Sequence, residues 1–194
     1  MTTARLIGGL WVGFLALWWT WALFNKKADR GATWRRRSWG FRVGMIVAIM
    51  LVMRLVRRSG LAGWLTGHAP ALLHPAPPWQ WIGVAGCVAG FAFAIWARAY
   101  LGGNWGIPMS MRQGHELVTC GPYARVRHPI YSGLVLAGLG TVFALGVMWL
   151  PALVLVGLFF VISAHTEERM LAEHFPAAYP PYKARTRMLI PFLY

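Results

Sequence analysis

The chain has 194 residues, of which 58% are hydrophobic and only 12% are charged. Because about a quarter of the residues in soluble domains are charged, this composition excludes an ordinary soluble protein and predicts a single integral membrane domain over residues 1–194. The formal charge of +14 would indicate nucleic acid in a soluble protein, but here the basic residues flank apolar runs. That placement favours membrane lipids with anionic headgroups as partners, and no nucleic acid.

The first apolar run, residues 6–24, is long enough to cross a hydrocarbon core of about 30 Å as a helix. It ends in bulky tryptophans and is followed by lysines, without a small-residue cleavage site, so we interpret it as a retained span and not as a signal peptide. A dense basic segment comes next, containing Lys26, Lys27, Arg30, Arg35, Arg36 and Arg37. Such a segment is typical of a cytoplasmic loop.

Two further spans are predicted, over residues 39–56 and 79–100. The interval between them is rich in glycine and proline, which predicts an outer loop with a short interfacial segment around residues 61–65 and no continuous helix. The third span has small residues at spacings of three and four: Gly83, Gly86 and Gly90, with Ala85, Ala89 and Ala92. Small residues at these spacings let helices approach closely in lipid, so this span should pack tightly against a neighbour.

The apolar block from Ile130 to Ala164 is too long for one crossing, and Gly146 and Pro151 interrupt it. We therefore predict a hairpin of two spans, residues 130–147 and 151–165. This gives an all-α, multi-pass fold with about five transmembrane helices. With the first basic segment inside, the amino terminus lies outside and the segments 101–129 and 166–194 lie on the cytoplasmic side, together with most of the other basic residues.

The polar interval before the fourth span contains the stretch HELVTCGPYARVRHPIY, residues 115–131. It combines two histidines, two arginines, two tyrosines and a glutamate, and charged groups are costly at the edge of a bilayer, so the cluster indicates a site. Pro122 and Pro129 restrict the backbone, which predicts a shaped loop and not a helix. The alternative is an interfacial loop whose arginines contact lipid phosphates and whose tyrosines join an aromatic belt.

A second polar group, Glu167-Glu168, follows the last predicted span and falls on the same membrane side as the loop. Adjacent glutamates on a helix point about 100° apart, so one can face a pocket while the other meets an arginine or lipid headgroups. Alternatively, both only solvate a helix end. The sequence of the tail that follows predicts that it forms the cytoplasmic end of the last helix and then a short helical segment that lies against the core.

Three strings form one pattern: His115-x-Leu-Val-x-x-Gly-Pro-Tyr, Arg127-His-Pro-x-Tyr-x-Gly133 and Glu167-Glu168. This pattern resembles the isoprenylcysteine carboxyl methyltransferase family and the wider group of membrane methyltransferases that includes phospholipid N-methyltransferases. The resemblance covers about half of the chain. It implies S-adenosylmethionine as cofactor, carboxyl methylation of a prenylated cysteine as the reaction, and a lipophilic acceptor that enters from the bilayer.

The resemblance also implies roles for individual residues. Arg127 and Glu168 would act in catalysis, and the cofactor would be bound by His115, Glu116, Leu117, Val118, Tyr123, His128, Pro129, Ile130, Tyr131 and Glu167. A carboxylate acceptor is already ionised at pH 7 and needs no general base, so Arg127 or Arg125 would serve to hold it. No metal is implied, and Cys87 and Cys120 have neither metal-ligand spacing nor a disulfide framework.

One position departs from the family pattern. Eukaryotic members are expected to carry a basic residue four positions before the first glutamate, where this chain has Ser163, so the cofactor half of the pattern matches better than the acceptor half. Three alternatives stay open. They are a lipid N-methyltransferase in which Glu168 or His165 takes the proton of an amine, a membrane reductase that binds a nicotinamide dinucleotide, and a non-enzymatic multi-pass protein.

Overall fold

The computed structural model describes residues 2–23, 32–102 and 116–189, with the backbone alone for residues 22, 23, 32–39, 41 and 42. These residues form helices and short turns, and the single β-bridge among them, between Val126 and Arg187, belongs to no strand. The prediction of an all-α fold is therefore confirmed for the part of the chain that is described.

The described residues contain eight α-helices. In chain order they are α1 (Thr3–Leu23), α2 (Ala32–Arg58), α3 (Leu61–His68), α4 (Pro70–Leu73), α5 (Pro77–Leu101), α6 (Pro129–Leu145), α7 (Leu150–His174) and α8 (Tyr179–Arg185). Prolines stand in the first turn of α5, α6 and α7, where the missing N–H has no helical partner to lose.

The five long helices overlap the five predicted spans, but their bounds differ. Helix α2 begins within the basic segment, α6 ends at Leu145 and α7 continues nine residues past residue 165, to His174. Two segments of the described chain are long and apolar enough to cross a membrane, Pro70–Leu101 and Val147–His174, and Pro129–Leu145 is a shorter apolar helix. The number of five spans and their orientation stay predictions.

The tightest packing joins α5 to α6 through glycines on both helices. A Cβ added to Gly90 would lie 2.5 Å from the backbone of Ala137 and Gly133, and one added to Gly140 would lie 2.5 Å from Cys87 N. The predicted close approach is therefore confirmed. Only part of the predicted rows makes this contact, because three of the alanines face outward: Ala85, Ala89 and Ala92.

Helix α1 packs against both α5 and α6, largely through aromatic rings. The rings of Phe14 and Phe91 stack at 4.4 Å, and Trp11 Nε1 donates a hydrogen bond to Thr141 Oγ1 on α6 at 3.0 Å. Near the end of α5, Arg98 is only 1% exposed. Its guanidinium lies 4.1 Å from the Trp18 ring centre and donates to the Trp18 carbonyl, so α1 covers this cation.

The turn between α6 and α7 begins at Gly146, one of the two residues that interrupt the apolar block. Gly146 has φ +99°, and a Cβ there would lie 2.5 Å from the Leu73 carbonyl oxygen, so no other residue fits without strain. At the opposite end of the hairpin, Tyr131 and Phe160 pack with Met188 and Leu189 of the chain's tail. This second apolar cluster brings the tail beside the polar loop.

Candidate cofactor site

The loop before α6 is held by α8 and by the residues that follow it. Tyr182 donates its hydroxyl to the Tyr123 carbonyl at 2.8 Å. The backbone N–H groups of Arg127 and His128 donate to the carbonyls of Arg187 and Met188 at 2.8 and 3.1 Å, and the N–H of Arg187 donates back to the Arg125 carbonyl at 3.0 Å. Loop and tail therefore form one unit at the end of α6 and α7.

A glycine lets this unit approach α5. The loop makes a 3₁₀ turn over Gly121–Ala124, and Gly121 has φ +59°. A Cβ at this position would lie 2.5 Å from Cδ1 of Tyr100. The positive φ therefore favours glycine here, and any larger residue would also have to displace the Tyr100 ring.

The carboxylate of Glu168 forms ion pairs with two basic side chains of the site. Its side chain is 3% exposed, Oε1 lies 2.6 Å from Arg127 Nε, and Oε2 lies 2.7 Å from Lys183 Nζ. Arg127 also donates through Nη1 to the Thr186 carbonyl at 2.5 Å. Because a buried carboxylate is costly without partners, these two cations hold Glu168 in its ionised form.

The neighbouring carboxylate, that of Glu167, faces an aromatic pair. Tyr131 donates its hydroxyl to Glu167 Oε1 at 2.5 Å, and His128 Nδ1 lies 3.4 Å from Glu167 Oε2. The Tyr131 ring stacks on His128 with centroids 5.5 Å apart and on Phe160 with centroids 4.6 Å apart. The side chain of Glu167 is 22% exposed, whereas that of Glu168 is only 3% exposed.

The pKa values follow from these contacts. Burial alone would raise the pKa of Glu168, but hydrogen bonds from His128, Lys183 and Arg127 lower it to about 2. Burial lowers the pKa of His128, and the two glutamates outweigh that effect, so its pKa is raised. Burial raises the pKa of Tyr123, which stays a neutral phenol. Glu168 belongs to the polar end of α7, beyond the predicted span 151–165.

The structure brings together five of the residues singled out in the sequence: Arg127, His128, Tyr131, Glu167 and Glu168. Tyr123 is buried in the same loop, Pro129 is buried at the start of α6, and Ile130 packs beside Tyr131. Glu116, Leu117 and Val118 lie on the non-helical segment that leads into the 3₁₀ turn. His115 lies outside the described residues. The cofactor and catalytic roles of all these residues stay predictions.

Sequence reasoning missed two members of the cluster, Lys183 and Thr186. Both belong to the tail. Several basic residues occur there, and their order in the sequence did not indicate which side chain faces the core. The i, i+3 pair Tyr179 and Tyr182 on α8 was the available signal, because both rings are buried and a helical stripe of this kind indicates the face that packs against the core. Lys183 lies one position further and reaches Glu168 from the edge of that face.

Ser163 lies on the face of α7 that carries Phe160 and Glu167. It is fully buried, and its hydroxyl makes no hydrogen bond to another described residue. The position where eukaryotic members are expected to have a cation is therefore neutral and enclosed. Residues 2–23, 32–102 and 116–189 contain no group of three His, Cys, Asp or Glu side chains that could hold a metal ion.

Comparison with known proteins agrees with the motifs. Residues 81–173 match the model of the isoprenylcysteine carboxyl methyltransferase family. A protein-S-isoprenylcysteine O-methyltransferase of Tribolium castaneum is 31% identical over 116 residues, which make up 58% of this chain and 41% of that protein. The chain thus spans less than half the length of this relative. The predicted resemblance is confirmed over the matched region, which contains α6, the described part of the loop before it and the glutamate pair.

Proposed function

We propose that this chain, which carries the isoprenylcysteine carboxyl methyltransferase pattern over residues 81–173, is a membrane methyltransferase that uses S-adenosylmethionine. The observation that carries the proposal is that the two neighbouring glutamates differ in their partners and in their exposure. Glu168 is enclosed by Arg127 and Lys183, whereas Glu167 remains accessible beside the stacked rings of His128 and Tyr131.

These residues fit the chemistry of the cofactor. S-adenosylmethionine carries a positive sulfonium, an ammonium group and ribose hydroxyls, and all of these are attracted to a carboxylate such as Glu167. When it is bound, the cofactor supplies an electrophilic methyl group. The chain's own residues orient the ligand, since Tyr131 and His128 fix the direction of the Glu167 carboxylate.

Arg127 connects α7 and the tail to the loop. Its Nε is committed to Glu168 and its Nη1 to the Thr186 carbonyl, so we assign it the role of fixing α7 and the tail against the loop. The positive charge also keeps Glu168 ionised at low pH. A fork of this kind cannot be replaced by lysine, because it serves two acceptors with a planar group.

We propose that the acceptor is the carboxylate of a prenylated cysteine or a similar lipophilic carboxylate. An amine acceptor needs a base to take its proton, and Glu168, with a pKa of about 2, is a poor one. A carboxylate needs only alignment in a place from which water is excluded. The apolar stack of Tyr131 and Phe160 borders the accessible glutamate and lies towards the hydrophobic interior, where a prenyl chain would arrive.

The test is transfer of a radiolabelled methyl group from S-adenosylmethionine by the purified chain in lipid nanodiscs. A prenylated cysteine derivative is offered in one arm and phosphatidylethanolamine in the other. We expect labelled product in the first arm, and alkaline treatment should release the label as methanol because a methyl ester is hydrolysed. Label that resists alkali and appears with phosphatidylethanolamine would show N-methylation, and no transfer in either arm would contradict the proposal.

A further inference from the structure

Three exposed arginines lie beside the candidate site, outside the cluster around Glu167 and Glu168. Arg125, Arg185 and Arg187, here called the basic patch, all have exposed side chains. The N–H of Arg187 donates to the Arg125 carbonyl, and the guanidinium of Arg185 lies 5.9 Å from the centre of the Tyr182 ring. Within the described residues, no carboxylate forms an ion pair with any of these three guanidiniums.

The basic patch lies at the polar end of the apolar helices. Arg125 comes three residues before His128, which precedes the first turn of α6. Arg187 adjoins Met188 and Leu189, which are buried against Tyr131 and Phe160. The hydroxyl of Ser132 in the first turn of α6 also donates to the Leu189 carbonyl. In a bilayer that surrounds α6 and α7, this position corresponds to the headgroup layer.

We infer that the basic patch binds anionic phospholipid headgroups and thereby holds the tail against the loop. Guanidinium forks match phosphate oxygens in charge and geometry. The partner is a lipid rather than an acidic protein because the patch adjoins residues that are themselves buried on the membrane helices. Arg187 belongs both to the patch and to the backbone contacts with Arg125 and Arg127, so a lipid bound here opposes release of the tail that carries Lys183.

The inference is tested by hydrogen exchange of residues 179–189 in the purified full chain, in a neutral detergent. Dioctanoyl phosphatidylglycerol or dioctanoyl phosphatidylcholine is added as the probe. Each basic residue near an anionic surface contributes enough for about a fivefold change in binding. We therefore expect phosphatidylglycerol, and not phosphatidylcholine, to slow exchange of this segment at least fivefold.

Variants of the patch identify the residues responsible. The triple variant R125Q/R185Q/R187Q should lose the effect of phosphatidylglycerol, and R125K/R185K/R187K should keep most of it because the charges remain. The matched control removes three exposed arginines at the far end of α2, Arg54, Arg57 and Arg58, and should respond as the unmodified chain does. Equal protection by both lipids, or a full response in the glutamine variant, would overturn the inference. So would protection by polyglutamate without protection by phosphatidylglycerol, which would indicate an acidic protein partner.

Discussion

Replacement of Arg127 by glutamine tests the central ion pair. The change removes the Nε group that lies 2.6 Å from Glu168 Oε1, and the side chain of Glu168 is only 3% exposed. Breaking a buried pair by removing one partner costs about 3–5 kcal/mol, because the remaining charge is left without compensation. Lys183 stays 2.7 Å from the other oxygen but is 52% exposed, so it offsets about 1 kcal/mol at most.

We therefore expect Arg127→Gln to destabilise the protein by about 2–4 kcal/mol. This corresponds to a fall of roughly 5–15 °C in the unfolding midpoint for a chain of this size. The assay is thermal unfolding in detergent, followed by tryptophan fluorescence, together with the affinity for S-adenosylmethionine. Both stability and affinity should fall, because Arg127 holds the helix that carries Glu167.

Two variants make this result specific. Lys183→Met removes the half-exposed partner and should cost about 1 kcal/mol or less. In the double variant R127Q/E168Q no buried carboxylate is left without Arg127, so it should be more stable than the sum of the two single changes predicts, by about 1–3 kcal/mol. An Arg127→Gln protein with unchanged stability and cofactor affinity but lost turnover would refute this reasoning and move Arg127 to the acceptor.

Three other changes have defined outcomes. Tyr131→Phe keeps both ring stacks but loses the hydroxyl donated to Glu167, and the affinity for S-adenosylmethionine should fall about tenfold or more, as measured by calorimetry. Gly90→Ala should weaken the packing of α5 against α6 and lower the unfolding midpoint. The control Gly13→Ala, where an added Cβ meets nothing within 4 Å, should leave the unfolding midpoint unchanged or higher. Glu168 has a pKa that is lowered to about 2 in the folded protein. Its ionised form therefore contributes about 3 kcal/mol to the free energy of unfolding above its unfolded pKa, and this contribution is lost as the pH falls from about 4.5 towards 2. Glu168→Gln should remove this part of the acid-induced loss of stability.

Local rules predicted much of the site. The angle of about 100° between adjacent helical side chains predicted that one glutamate could face a pocket while the other met an arginine or lipid headgroups. In the structure Glu168 meets Arg127, and Glu167 contacts Tyr131 and His128. The prolines at 122 and 129 predicted a shaped loop before α6. These features depend on a few neighbouring residues, so the sequence was sufficient for them.

Features that depend on distant contacts could not be predicted. Lys183 meets Glu168 because the tail returns to pair with Val126 and the residues on either side of it, and no local pattern specifies that return. The small residues of α5 predicted close packing, but the side that faces α6 depends on where the glycines of α6 lie. The buried position of Arg98 likewise depends on the Trp18 carbonyl and ring, which α1 supplies.

The most direct measurement is a calorimetric titration of the purified chain with S-adenosylmethionine and, separately, with a reduced nicotinamide dinucleotide. The unmodified chain and two variants are compared, Glu167→Ala and Glu173→Ala; Glu173 lies on the same helix and is exposed. We expect saturable binding of S-adenosylmethionine by the unmodified chain and by Glu173→Ala, at least tenfold weaker binding by Glu167→Ala, and no binding of the dinucleotide. Equal affinity in all three proteins would show that the polar cluster is an interfacial loop, and binding of the dinucleotide alone would identify a reductase and contradict the proposed methyltransferase.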